Sequence, residues 1–388
     1  MTSADDTPTP DGAGVSYKSS GVDIDAGHEA VRRIRVLAQE TFTPGVLSDI
    51  GSFGGLFQPN LGAFKEPVLV SSADGVGTKL KVAFAAGRHD TVGIDLVNHC
   101  VNDILVQGAT PLFFLDYLAT GRLAPAVAAD VVAGLATACR ENQCALLGGE
   151  TAEMPGFYAD GEYDLAGFVV GLVDRSRIID GRRIEPGDVV IGLPSTGLHT
   201  NGYSLARQIC FDHLGLSVDS PVEELGGRLG DELLRPHCSY LQTVRSILSD
   251  GAIKAMAHNT GGGLTDNLPR VLPEGCGDCI DPATWTVPPI FGFLQDRGGV
   301  AVDDMFRTFN MGIGLAVVCA RGDVASVLAG LIAAGESGAT AIGEIRAGEG
   351  AVALDDTYEL TVAVVGILNI LTNDAQERCG AIDIIALN

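Results

Sequence analysis

At 388 residues the chain is long enough for two or three domains, and 46% hydrophobic against 19% charged residues excludes a mainly disordered protein. Lys and Arg number 25 against 49 Asp and Glu, so the formal net charge of −24 argues against nucleic acid and anionic membrane as partners. A phosphorylated ligand would need local neutralisation by metal ions, backbone N–H groups and a few cationic side chains.

Residues 1–20 are rich in Asp, Pro and Ser, have no apolar core, and read as a disordered arm rather than a signal peptide. The apolar spacing of Ala30, Ile34, Leu37 and Ala38 predicts a helix over 26–38, followed by a Gly-rich loop at 51–55. A short apolar strand over 67–72 runs into Asp74-Gly-Val-Gly-Thr-Lys79. A helix over 93–108, a strand over 111–118, a helix over 125–140 with Pro in its first turn, and strands over 144–147 and 165–173 come next. Charged, turn-rich text at 174–188 marks a domain boundary. Beyond it the pattern predicts strand 189–193, helices 203–214 and 239–248, strands 253–257 and 313–319, helix 323–334 and a strand near Ile342. The expectation is therefore an α+β (mixed α/β) protein with domains at 21–178 and 179–354. An atypical tail follows at 355–388, in which 358–366 could add a strand or pack as a helix. No apolar run reaches the ~18 residues of a membrane span, and nine scattered cysteines suit a reducing compartment, so a cytoplasmic location is expected. Cys276 and Cys279 lack a second ligand pair and read as two loop thiols.

Several segments could carry chemistry. In the 74–79 loop, Gly75 and Gly77 let backbone approach a ligand, Asp74 can hold a divalent cation, and Thr78 and Lys79 can donate to phosphate. The spacing is not that of a Walker A loop, and a plain turn has the same composition. Wound at about 100° per residue, the 93–108 helix puts Val97, Cys100, Val101, Ile104 and Leu105 on one face. Asp95, Asn98, Asn102 and Asp103 fall on the other, either as oxygen ligands for Mg²⁺ or as a solvated face. Gly148-Gly-Glu-Thr-Ala-Glu-Met-Pro-Gly156 offers Glu150 as a metal or hydroxyl partner, or else a solvated acid in a tight turn. At 195–204 a Gly-rich turn opens a helix, an anion site to which His199, Thr200 and Asn201 would add donors, unless Thr200 or Asn201 merely caps it. Glycines 261–263 are costly in entropy and suggest a ligand-facing loop, which makes the neighbouring His258 a candidate acid/base group.

Together and in this order these strings resemble the aminoimidazole ribonucleotide synthetase (phosphoribosylformylglycinamidine cyclo-ligase) family. Ser16-Tyr-Lys, Gly21-Val-Asp-Ile-Asp-Ala-Gly27 and Pro111-Leu-Phe-Phe-Leu-Asp-Tyr117 complete the set, and the likeness runs from about 16 to about 345. The resemblance implies a two-domain ATP-binding synthetase fold whose N-terminal domains pair in a barrel-like homodimer. It implies ATP-dependent closure of formylglycinamidine ribonucleotide to aminoimidazole ribonucleotide, with ADP and phosphate released, in purine biosynthesis. On this reading Asp74, Asp95, Asp103 and Glu150 hold Mg²⁺, while Gly75, Gly77, Thr78, Lys79 and Asn102 serve ATP. Thr200, Asn201, Gly202, Thr260, Gly261 and Gly262 take the substrate, and His258, His199 and Asp103 are catalytic. Ala73 departs from the hydroxyl residue usual in the family. A selenophosphate synthetase would need a reactive N-terminal cysteine, and none precedes Cys100.

Overall fold

The computed structural model describes residues 16–248 and 251–348, so arm residues 1–15 and the tail at 355–388, with its segment 358–366, lie outside the described residues. Residues 16–20, expected in the arm, instead form a turn in which the Ser20 N–H donates to the Ser16 carbonyl at 3.0 Å. Lys18 anchors that turn to Asp23 at 2.8 Å.

The N-terminal half runs α1 (Ile24–Gln39), β1 (Pro67–Gly75), α2 (Leu80–Ala86), α3 (Asp90–Leu105), β2 (Thr110–Thr120), α4 (Pro125–Glu141), β3 (Ala145–Glu153) and β4 (Tyr163–Asp174). The sheet order is β1-β4-β2-β3, and only β2 and β3 run parallel, joined by the α4 crossover that a parallel pair requires. Val70, Phe114, Leu165 and Val169 are buried in the core shared with Leu96 of α3 and Val132 of α4. Those helices approach to backbone contact: a Cβ on Gly134 would stand 2.1 Å from the Asp90 carbonyl oxygen, so only glycine fits there. The opposite sheet face stays open, with Leu69 68% and Phe168 45% exposed. Two strands run further than their apolar text. Asp74 still pairs with Gly167 of β4, and Glu150 with Tyr117 of β2, so both acids stand on strands rather than in turns.

The C-terminal half runs β5 (Val189–Pro194), α5 (Tyr203–Arg207), β6 (Pro221–Val222), β7 (Gly227–Arg228), α6 (Leu229–Leu233), α7 (Leu241–Arg245) and β8 (Ile253–His258). It continues through α8 (Gly263–Asn267), β9 (Cys276–Ile280), α9 (Pro289–Gly298), α10 (Val302–Thr308), β10 (Ile313–Cys319), α11 (Val324–Ala333) and β11 (Thr340–Ala347). Its antiparallel sheet has the order β8-β10-β5-β11-β9. Both halves are mixed α/β, as the sequence predicts. The helix expected over 203–214 is α5 continued by a π-helical turn over Gln208–His213. Cys276 and Cys279 lie on β9, not in a loop; three apart on a strand, they start towards opposite faces and are poorly placed to share an ion.

Candidate active site

The polar face of α3 meets neither solvent nor a free ligand cavity along most of its length. It meets the backbone of the segment between α6 and α7. Asp95 Oδ1 accepts from the His237 N–H at 2.7 Å, and Asn98 Nδ2 donates to the His237 carbonyl at 2.7 Å. One turn on, Asn102 Nδ2 donates to the Cys238 carbonyl at 2.9 Å while its Oδ1 accepts from the Tyr240 N–H at 3.0 Å. Lys79 completes the seam: its ammonium lies 2.8 Å from Asp95 Oδ2 and donates to the carbonyls of Arg235, at 2.7 Å, and His199, at 3.1 Å. Burial pushes the Lys79 pKa down and the Asp95 pKa up, each opposed by the other's charge. Both side chains are fully buried. Lys79 is therefore not a phosphate donor, Asp95 is not a metal ligand, and Asn102 is not a nucleotide contact in this arrangement. Each has its polar atoms committed to joining the two halves.

At the end of that seam four imidazoles gather: His99 from α3, His199 from the turn before α5, His237, and His258 at the end of β8. His258 Nδ1 lies 2.8 Å from Asp103 Oδ1, and its Nε2 lies 3.1 Å from His237 Nε2. His99 Nε2 lies 2.7 Å from Asp74 Oδ2 and its Nδ1 2.8 Å from the Thr200 hydroxyl. Ser72 donates to Asp103 Oδ2 at 2.8 Å, a hydroxyl contact supplied one residue before Ala73. Burial opposes charge on Asp74 and Asp103, but His99 and His258 outweigh it and hold both carboxyls below their usual range. Burial likewise opposes a charge on His99, yet Asp74 and Asp103 raise it above the ordinary imidazole range. For His258 burial wins and the pKa falls, in spite of Asp103. Ser72, Asp74, His99, Asp103, His258 and Arg270 line a cavity of about 550 Å³ between the halves. Asp74 and Asp103 keep 41% and 27% of their side chains exposed, so ionised oxygen faces that space.

The other expected residues divide. His199 turns inward: it stacks on His237 at 3.9 Å, is 1% exposed, and accepts from the Thr196 N–H, so it does not reach a substrate. Its φ of 59° places it in the left-handed region, a strained conformation for a residue with a side chain. Thr200 is already bonded to His99, and the N-cap of α5 is Gly202 with no side-chain cap, so neither Thr200 nor Asn201 caps it. Asn201 and Gly261 face each other, a Cβ on the glycine standing 3.2 Å from Asn201 Oδ1, and Thr260 lines the cavity. Gly262 and Gly263 have a packing reason for their identity: both have positive φ, and a Cβ on Gly263 would stand 1.8 Å from the Phe306 carbonyl oxygen. Thr78 meets Ser204 across the domain junction at 3.2 Å, and Gly75 and Gly77 flank the turn after Asp74. Glu150 lies elsewhere. It lines a second cavity, about 610 Å³, with the 51–55 loop and Asp116, whose carboxyl burial pushes up to about 7. Strands β4 and β2 separate it from Asp74, so in one chain the two acids do not share a cation.

His99, His237, Ser72 and Arg270 were missed by the sequence reading. His99 and Asp103 carry a signal, the i, i+4 spacing that puts two side chains on one helix face. His237 carries none, because its neighbours come from residues 102, 199, 200 and 258. Among the described residues, no helix is long and apolar enough to cross a membrane.

Residues 62–173 match the AIR synthase related protein N-terminal domain, and residues 185–356 match its C-terminal domain. The phosphoribosylformylglycinamidine cyclo-ligase of Trichlorobacter lovleyi is 55% identical over 331 residues, 85% of this chain and 95% of the relative. Two solved structures share the fold at low identity. Thiamine-monophosphate kinase from Stenotrophomonas maltophilia superimposes with TM-score 0.60 at 19% identity, covering 84% of this chain and 96% of its own. The hydrogenase maturation protein HypE in complex with ATP gives TM-score 0.60 at 17% identity, covering 84% and 88%.

Proposed function

The chain belongs to the phosphoribosylformylglycinamidine cyclo-ligase family and catalyses ATP-dependent ring closure in purine biosynthesis, and from that premise we propose that the chemistry takes place in the cavity between its two halves. The observation that carries this reading is the facing pair of ionised carboxylates, Asp74 and Asp103, with His258 bonded directly to Asp103. In a body of net charge −24, two exposed carboxylates bind a triphosphate only through cations. The donor set fits Mg²⁺, with Asp74 and Asp103 as its protein ligands; bound there with ATP, the ion would neutralise phosphate charge. Exposed Arg270 on the cavity wall supplies a cation for a phosphate, in the role first given to Lys79. Thr260 lines the same cavity, and Asn201 lies against the neighbouring Gly261, so that side of the cavity is assigned to the ribonucleotide.

The reaction needs positioning and proton management more than a protein nucleophile. The formyl oxygen takes the γ-phosphoryl group, the amidine nitrogen attacks that carbon, and the oxygen leaves as part of phosphate. The proton lost from the amidine nitrogen passes through the cavity-facing Asp103 carboxylate to the Nδ1 of His258, which is buried behind it. A homodimer in the cytoplasm completes the proposal, the open sheet face with Leu69 and Phe168 being apolar surface suited to a second copy.

Substrate carrying ¹⁸O in its formyl group tests the chemistry. Mass spectrometry is expected to find the label in released phosphate. Label released into water would exclude activation at the formyl oxygen.

A further inference from the structure

The hydrogen bonds around His258 leave an unbalanced pair of acceptors. Two backbone groups orient the Asn102 amide: the Tyr240 N–H points at Oδ1 (3.0 Å), and the Cys238 carbonyl accepts from Nδ2 (2.9 Å). The second Nδ2 hydrogen then reaches His237 Nε2 at 3.2 Å, which makes that nitrogen an acceptor and puts the ring proton of a neutral His237 on Nδ1, facing the Thr200 hydroxyl at 3.4 Å. His258 Nε2 lies 3.1 Å from the same His237 Nε2. Two lone pairs cannot face each other at that distance, so His258 Nε2 carries a hydrogen. If His258 holds one proton, its Nδ1 is bare and lies 2.8 Å from the carboxylate Oδ1 of Asp103. A hydrogen, on the ring or on the carboxyl, or a metal cation has to sit at that contact.

The surroundings suit a metal. His99, Asp103 and His258 each offer one ligand atom, all within 4.8 Å of one another. Asp74 Oδ2 is 2.7 Å from His99 Nε2, so a second carboxylate is in reach. Neighbouring ligands on an ion bound at ~2.0–2.2 Å stand about 3 Å apart, as Asp74–His99 and Asp103–His258 do at 2.7 and 2.8 Å, while His99 and Asp103 at 3.8 Å have to draw together. Two imidazoles with two carboxylates form a nitrogen–oxygen set, which suits Mn²⁺, Co²⁺ or Zn²⁺ better than Mg²⁺, an ion that favours oxygen throughout.

We propose that His99, Asp103 and His258, with Asp74, form a transition-metal site that binds a Mn²⁺-, Co²⁺- or Zn²⁺-class dication in the absence of nucleotide and ties α3 to β8. The inference shares Asp74 and Asp103 with the reading of the active site above. Because the metal covers the nitrogen that takes the proton in the reaction, an occupied site is inhibited, and excess Mg²⁺–ATP relieves the inhibition.

Full-length protein stripped with chelator is titrated with Co²⁺, whose visible d–d absorption reports nitrogen ligation. One saturable Co²⁺ per chain is expected, with a spectrum stronger than that of the hexaaqua ion. His258→Gln and, separately, His99→Gln should each weaken binding on the order of 100-fold, whereas His213→Ala, at an exposed surface site, should not. If one histidine variant fails to fold, the other carries the test. A weak, all-oxygen spectrum, or binding unchanged in both variants, overturns the proposal and leaves a proton at the His258–Asp103 contact. Turnover of metal-free protein with Mg²⁺–ATP is read separately: an active wild type that ignores Co²⁺ sinks the metal site alone, and a His258→Gln variant that loses Co²⁺ yet keeps near-native turnover sinks the assignment of His258 to the chemistry alone.

Discussion

Asp103→Asn is expected to lower kcat by about 10³-fold while the protein stays folded. The substitution keeps the side chain's shape and its hydrogen-bonding capacity towards Ser72 and His258, and the side chain is 27% exposed, so the core is not disturbed. What it removes is charge. Among the described residues Asp103 is the carboxylate bonded to His258, and it faces the cavity beside Asp74. Its loss takes away a Mg²⁺ ligand and leaves the His258 proton without an anionic partner. Steady-state turnover together with a melting curve checks this. Near-native turnover would remove Asp103 from the chemistry, and an unfolded variant would make it structural.

The second large effect concerns stability. Lys79→Met leaves Asp95 fully buried with only the His237 N–H as a partner, and breaking one side of a buried ion pair costs about 3–5 kcal/mol. It also frees the Arg235 and His199 carbonyls, which lie on the opposite side of the domain junction. Urea unfolding should show that loss, and Lys79→Met with Asp95→Leu should recover a large part of it, because the double variant buries no unpaired charge. If Lys79→Met kept its stability and only raised KM for ATP, Lys79 would return to the phosphate role that its place in the Gly-Val-Gly-Thr-Lys string suggests.

The contrast between Asp103 and Lys79 shows what the sequence could and could not convey. Winding α3 at 100° per residue separated its apolar face from its polar one, and every residue placed on the apolar face is buried. The polar face was equally legible as polar, but its partner was not. Solvent or a metal ion were the candidates; the partner to Asp95, Asn98 and Asn102 is the backbone of residues 237–240, more than 130 positions away. Nothing local to either segment announces such a long-range pairing. The partners of Lys79 are hidden for the same reason, since its acceptors include carbonyls at 199 and 235. The glycines at 262 and 263 erred the other way: they were read as ligand-facing, yet Gly263 answers to the close approach of α10. Strand ends were underestimated where polar residues continue a ladder that only the neighbouring strand reveals, as at Asp74 and Glu150. The motif order was the stronger signal, because it identified the family without requiring any single residue's role to be right.

This chain couples ATP cleavage to closure of one particular ring. The direct test is to follow ADP and aminoimidazole ribonucleotide together, with Mg²⁺–ATP, in the presence and absence of formylglycinamidine ribonucleotide. ADP is expected only when that substrate is present, with one aminoimidazole ribonucleotide formed for each ADP. ADP released at the same rate without it, or with no aminoimidazole product, would exclude that coupling.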